Sequence, residues 1–141
     1  MEILLIEDDL RDARATLQVL DQGHVRCRVS LVRDGDEATR FLRRRGIFAK
    51  APRPDLILLD MQLPKRSGCE ILAELQADAD LKRIPVVVLS SPETCQTLLR
   101  GECFDVVEFM PKPLDADWFV GMVKSLHYAL LSDLIAGSMV S

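Results

Sequence analysis

Three short segments of this chain are aliphatic without interruption: Ile3-Leu4-Leu5-Ile6, Leu56-Ile57-Leu58-Leu59 and Val86-Val87-Val88-Leu89. A strand with one wet face alternates between apolar and polar residues. An unbroken run belongs to a strand covered on both faces, as at the centre of a parallel sheet. Such a sheet needs helices above and below it, and the intervening sequence has helical spacing. Ala13, Thr16, Leu17 and Leu20 fall at i, i+3, i+4 and i+7, and Gly68, Ile71, Leu72 and Leu75 repeat the pattern. Ala38, Phe41 and Leu42 form a shorter version between them. Two more strands are expected at the sheet edges. Residues 26–32 alternate, with Cys27, Val29 and Leu31 facing inward, and residues 106–110 are interrupted by Glu108.

Capping residues mark where helices begin. Ser67 with Glu70 has the form of a capping box, and Asp34 with Glu37 makes a similar pair. Ser91-Pro92 reads as an N-cap followed by a first helical residue. A last helix is expected over 115–131, with Phe119, Val123, Leu126 and Leu130 inward. The order βαβαβαβαβα predicts an α/β fold, a flavodoxin-like (βα)5 three-layer sandwich with parallel strand order 2-1-3-4-5. Ligands of this architecture bind at the carboxyl ends of the strands.

Composition narrows the function classes. The chain has 141 residues, enough for one domain, and 48% apolar residues exclude disorder over most of it. A net charge of −4 argues against a nucleic-acid coat protein. Arg43-Arg44-Arg45, with Lys50 and Arg53, is read as a solvated face because no aromatic residues or recognition helix accompany it. Cys27, Cys69, Cys95 and Cys103 form no C-x-x-C pair, so zinc is not expected and the thiols are read as reduced. An acidic N-terminus and short apolar runs predict neither a signal peptide nor a membrane helix, and a cytoplasmic location is expected.

The strand ends carry the chemistry. The first strand runs into Glu7-Asp8-Asp9, the third ends in Asp60, the fourth in Ser90-Ser91, and the fifth leads to Lys112-Pro113. Clustered carboxylates repel one another, and protonation or a cation relieves the repulsion. Oxygen donors without histidine or thiolate suit Mg²⁺. A magnesium ion beside a carboxylate, a hydroxyl and a lysine is equipment for phosphoryl transfer. Each residue alone has a simpler reading: Asp9 as the N-cap of the first helix with Asp12 at N3, Ser90 as a strand-end hydroxyl, Lys112 as a surface charge. Their joint occurrence at successive strand ends carries the weight.

These residues make the chain resemble the receiver domain of two-component response regulators. The likeness rests on Glu7-Asp8, on Asp60 within Leu-Leu-Asp-Met-Gln-Leu-Pro, on Gly68, on Ser90, and on Phe109 with Lys112-Pro113. It covers about residues 2–131. A narrower likeness lies in residues 41–60, where a lengthened linker ends in Ala-Pro-Arg-Pro before the third strand, and in Lys82-Arg83-Ile84-Pro85. That stretch is similar to single-domain regulators serving phytochrome-type histidine kinases.

The resemblance implies a role for each residue. Asp60 would accept a phosphoryl group from a kinase phosphohistidine. Asp8, Asp60 and the backbone carbonyl of Gln62 would hold Mg²⁺, with Glu7 acting through water. Lys112 would pair with Asp60 and then with the phosphoryl group. Ser90 and Phe109 would form the switch, and Pro113 would follow a cis peptide. Ser90 stands where Thr is more frequent, and Gln62 and Pro92 leave the phosphoryl lifetime open. The protein would be no enzyme beyond catalysing its own phosphorylation and dephosphorylation.

Residues 1–131 are thus read as a receiver domain and 132–141 as a C-terminal extension, too short for an output domain. Output would pass through contact with a downstream protein or a histidine phosphotransfer protein. Tyr128, Leu131 and Ile135 form a second apolar stripe, expected to make a homodimer interface. The alternatives are a degenerate receiver that binds partners without phosphorylation, and a flavodoxin-like cofactor binder. The acidic pocket argues against a flavin phosphate, and no G-x-x-x-x-G-K loop is present.

Overall fold

The three aliphatic segments form adjacent central strands. In the computed structural model, which describes residues 1–22, 26–61, 63, 67–90, 108–112 and 114–125 (backbone alone at Ser90, Glu108, Phe109 and Pro111), five strands are defined. They are β1 (Glu2–Ile6), β2 (Arg28–Val32), β3 (Leu56–Asp60), β4 (Val86–Ser90) and β5 (Glu108–Pro111). All pairs are parallel and the order is β2-β1-β3-β4-β5. The register sets Ile6 beside Leu59, Asp60 beside Leu89 and Ser90 beside Pro111, so the carboxyl ends lie level along one edge.

Side-chain alternation divides the core between the two faces of the sheet. Leu4, Ile6, Ile57, Leu59, Val86 and Val88 pack against α2 (Gly35–Leu42) and α3 (Gly68–Ala77). Ile3, Leu5, Leu56, Leu58, Val87 and Leu89 pack against α1 (Leu10–Gln22) and the helix over 116–125. Every residue of β3 is buried, as an unbroken aliphatic strand requires. The result is the expected flavodoxin-like three-layer sandwich.

Caps fix the helix starts. The Asp34 side chain accepts from the Glu37 N–H, and the Ser67 hydroxyl accepts from the Glu70 N–H. The Glu37 carboxylate reaches back to the Arg33 N–H at 3.0 Å, one residue beyond the position a capping box uses. Asp115 accepts from the Trp118 N–H at 3.0 Å and opens the 116–125 helix, where Phe119 and Met122 are buried. Leu126 and Leu130 of the expected stripe lie outside the described residues, as do Ser91, Pro92, Cys95 and Cys103.

Three expectations need correction. Strand β2 begins at Arg28 rather than Arg26, because its partner β1 begins at Glu2 and the pairing starts with Glu2 beside Arg28. Strand β5 extends to Pro111; residues 106 and 107 lie outside the described set. Leu17 is 37% exposed and does not join the inward face of α1. Ala13, Thr16 and Leu20 define that face. At 100° per residue, Leu17 lies roughly 70° to one side of its centre.

Gly68 sits where chain meets chain. A Cβ built there would lie 2.7 Å from the Met61 Cα and 2.5 Å from its sulfur. The Gly68 N–H donates to the Met61 carbonyl at 3.3 Å, so the start of α3 rests on the residue that follows Asp60. Gly121, in the 116–125 helix, has open space around it. Gly68→Ala should therefore destabilise the protein by about 1–3 kcal/mol, through overpacking against backbone. Gly121→Ala should add about 0.5–1 kcal/mol by lowering the entropy of the unfolded chain. Paired thermal or urea melts of the two variants check both signs.

Candidate functional site

The level strand ends gather carboxylates from β1 and β3. Glu7 follows β1 directly; its N–H donates to the Val32 carbonyl at 3.0 Å, continuing the β1–β2 ladder by one bond. Its side chain is 1% exposed, and Asp60 is 4% exposed at the end of β3. Carboxylate oxygens of Glu7, Asp8 and Asp60 all lie within 4.8 Å of one another. Ligand oxygens on one octahedral ion with bonds of about 2.1 Å sit about 3–4 Å apart, so small rotamer adjustments bring this set into range. Three hard oxygen donors, joined by neither imidazole nor thiolate among the described residues, fit Mg²⁺ or Mn²⁺.

Lys112 follows β5 and reaches across into the cluster. Its Nζ lies 2.9 Å from Glu7 Oε2, 2.7 Å from Asp12 Oδ2 and 3.3 Å from Asp60 Oδ2. Burial alone would lower the ammonium pKa, but hydrogen bonds to Asp12 and Glu7 and the charge of Asp60 raise it above its usual value. Burial, opposed by the Lys112 hydrogen bond and reinforced by the adjacent Asp60 carboxylate, pushes Glu7 up to about 7. Two buried carboxylates side by side disfavour a second negative charge.

Asp9 belongs to α1 and not to the cluster. Its Oδ1 accepts from the Arg11 N–H at 2.8 Å and the Asp12 N–H at 3.3 Å, the geometry of an N-cap. The Asp12 and Arg11 N–H groups lower its pKa. The Asp9 N–H in turn donates to Glu7 Oε1 at 3.1 Å.

Asp12 is the site residue that the sequence reading missed. It was placed at N3 of the first helix and given no partner outside it. No local signal marks it, because its partner Lys112 lies a hundred residues further along the chain.

The structure thus brings Glu7, Asp8, Asp60 and Lys112 together, with Gly68 behind Asp60. It carries the β4 backbone to Ser90, paired with Pro111. The Ser90 and Phe109 side chains, Gln62, Pro113, and the stripe Tyr128, Leu131 and Ile135 lie outside the described residues.

Comparison with known proteins places this geometry. The profile of the response regulator receiver domain matches residues 3–124. The chain belongs to the response regulator receiver family. A curated relative, response regulator Rcp1 of Synechocystis sp., is 47% identical over 89 residues, covering 63% of this chain and 60% of Rcp1. The chain thus spans less than two thirds of that relative's length. A crystal structure of the Mn²⁺-bound form of Rcp1 superposes with a TM-score of 0.73 at 37% identity, over 89% of this chain and 90% of that one. The phosphorylated cyanobacterial phytochrome response regulator RcpA gives a TM-score of 0.72 at 40% identity, over 94% of each chain. The receiver is therefore related to phytochrome response regulators of two-component systems. No helix among its described residues is long and apolar enough to cross a membrane.

The Glu7 shift has a consequence for stability in the absence of metal. Its pKa in the folded protein, about 7, exceeds the 4.5 of an exposed glutamate. The folded state then binds more protons than the unfolded state between those values, so stability falls as pH rises through that window. In EDTA, the melting temperature should drop between pH 5 and 8 in the parent protein. Glu7→Gln, which has no proton to lose, should show a flatter profile. Differential scanning fluorimetry across that range checks the difference.

Proposed function

We propose that this receiver is a phosphoacceptor in a histidine–aspartate relay, with Asp60 as the acceptor. The observation that carries this reading is the placement of a buried Asp60 at a strand end, 3.3 Å from Lys112 and within reach of Glu7 and Asp8. An Asp60 carboxylate oxygen attacks the phosphorus of a kinase phosphohistidine. The new O–P bond forms as the P–N bond breaks, and the electron pair leaves on the imidazole nitrogen. Water reverses the modification by attack on phosphorus, with the Asp60 carboxylate leaving. The protein catalyses only these steps on itself.

Asp8, Asp60 and the Gln62 backbone carbonyl would hold Mg²⁺, with Glu7 bound through water. A divalent cation there neutralises the carboxylate cluster and the phosphoryl oxygens. Lys112 supplies a fixed positive charge to the same oxygens, and the Ser90 hydroxyl donates to one of them, with Phe109 following it inward. The kinase is of the phytochrome type, a reading supported by the 40% identity to RcpA. Output passes to a downstream protein or a histidine phosphotransfer protein.

Asp60→Asn should abolish acid-labile phosphate incorporation from acetyl phosphate in the presence of Mg²⁺ while leaving the circular dichroism spectrum unchanged. Incorporation equal to the parent in that variant would remove Asp60 from the role. Absence of incorporation in the parent itself would favour a degenerate receiver that binds partners without phosphorylation.

Residues 1–131 form the receiver in this reading. Residues 132–141 extend a homodimer surface made by Tyr128, Leu131 and Ile135. Leu131→Asp should then shift sedimentation toward monomer at tens of micromolar without unfolding the protein.

A further inference from the structure

Three carboxylates converge on the Lys112 ammonium, which has three N–H donors. The shortest contact, 2.7 Å, is to Asp12, and the longest, 3.3 Å, is to Asp60. A phosphoryl group on Asp60 brings roughly two negative charges and three strong acceptors to the side where the ammonium is least tightly held. The donor that faces Asp60 can serve one phosphoryl oxygen, and every further phosphoryl contact draws on the donors that Glu7 and Asp12 hold.

Burial decides which of the two yields. The Glu7 side chain is 1% exposed, so removing its cation would leave a buried carboxylate unpaired. The Asp12 side chain is 43% exposed, so water can replace Lys112 there. Asp12 also lies in the first turn of α1, where the helix N-terminus favours a negative charge after release. Resting on the phosphoacceptor reading, we propose that Asp12 is a positioning residue that latches Lys112 in the resting protein and surrenders it when Asp60 is phosphorylated. Asp12 itself never touches the phosphoryl group. Whatever holds the Asp12–Lys112 pair together is subtracted from the affinity for the phosphorylated state, because a ligand shifts an equilibrium only by its differential interaction with the two forms. The first turn of α1 is thereby coupled to the chemistry at β3.

Two measurements test the latch. The first needs no metal: melting temperatures of the parent, Asp12→Asn, Lys112→Ala and the double variant in EDTA. Asp12→Asn should cost clearly more stability in the parent than beside Lys112→Ala, where only its contribution to the helix start remains. An equal cost in both backgrounds would reduce Asp12 to a helix-start residue and overturn the latch. The second is titration with beryllofluoride, a phosphoryl analogue, in Mg²⁺. Asp12→Asn should bind it about two- to fivefold more tightly, the range expected for loss of a partly exposed ion pair. Asp12→Glu should restore the parent value. Unchanged or weaker binding by Asp12→Asn, in a parent that does bind, would overturn the latch and leave the phosphoacceptor reading standing. A parent that binds no beryllofluoride would defeat that reading itself, and the latch with it.

Discussion

The shared ammonium of Lys112 is the interaction on which the site depends. A parallel sheet brings all its strand ends to one edge, and here two of those ends, with the first turn of α1, deliver Glu7, Asp8, Asp12 and Asp60. Carboxylates this close resist sharing a low-dielectric site, and Glu7 is pushed upward chiefly by its burial and further by the neighbouring Asp60. Lys112 crosses from β5 to offset it, contacting three of the four. The cluster therefore holds a negative excess that one lysine does not cancel. That residual charge is what a divalent cation would bind, so the repulsion that strains the metal-free site is also the source of its affinity.

Holding such a cluster in place requires a frame that does not give. The central strands supply it: Leu4, Leu5, Ile6 and Leu56 through Leu59 are all fully buried, covered by a helix layer on each side. Asp60 ends the strand flanked by β1 and β4; it is in register with Leu89 of β4, and the residue before it, Leu59, is in register with Ile6 of β1. Behind it, α3 rests directly on Met61 because Gly68 has no Cβ. The Ser67 cap fixes where that helix starts. Fold and site are coupled here by contact at backbone distance, within one residue of Asp60.

Much of this was legible in the residues because the signals were strong and local. Unbroken aliphatic runs have one good solution, and Ser67 and Asp34 announce helix starts by a hydrogen bond that spans three residues. The acids were found because strand ends are predictable once strands are. What escaped was decided by tertiary geometry. Leu17 fits the helical spacing but sits at the margin of a buried arc whose width depends on the sheet beneath it. The start of β2 depends on where β1 begins. Arg43 and Arg53 lie exposed, as expected of a solvated basic face, but their partners were not legible: Arg43 pairs with Glu74 at 3.2 Å and Arg53 with Asp80 at 2.6 Å, tying the lengthened linker to α3 and the turn after it. Asp12 has a complete local explanation as a first-turn acid, and nothing in the sequence says that Lys112, a hundred residues later, arrives beside it.

The two well-held partners of Lys112 differ in a way that gives the site a direction. Glu7 and Asp12 bind the same ammonium at nearly the same distance, 2.9 and 2.7 Å. In a uniform medium they would be interchangeable. They are not, because one carboxylate is sealed beneath the sheet edge and the other is open to water. The sealed contact is costly to break and keeps Lys112 in the site through any change at Asp60. The open contact is cheap to exchange for water, since exposed ion pairs contribute little. Of the two contacts, the one to Asp12 is the cheaper to give up, so added charge at Asp60 draws on that side of the ammonium first. The asymmetry of solvent exposure, rather than any difference in bond length, orients the charge toward the position where a phosphoryl group would form.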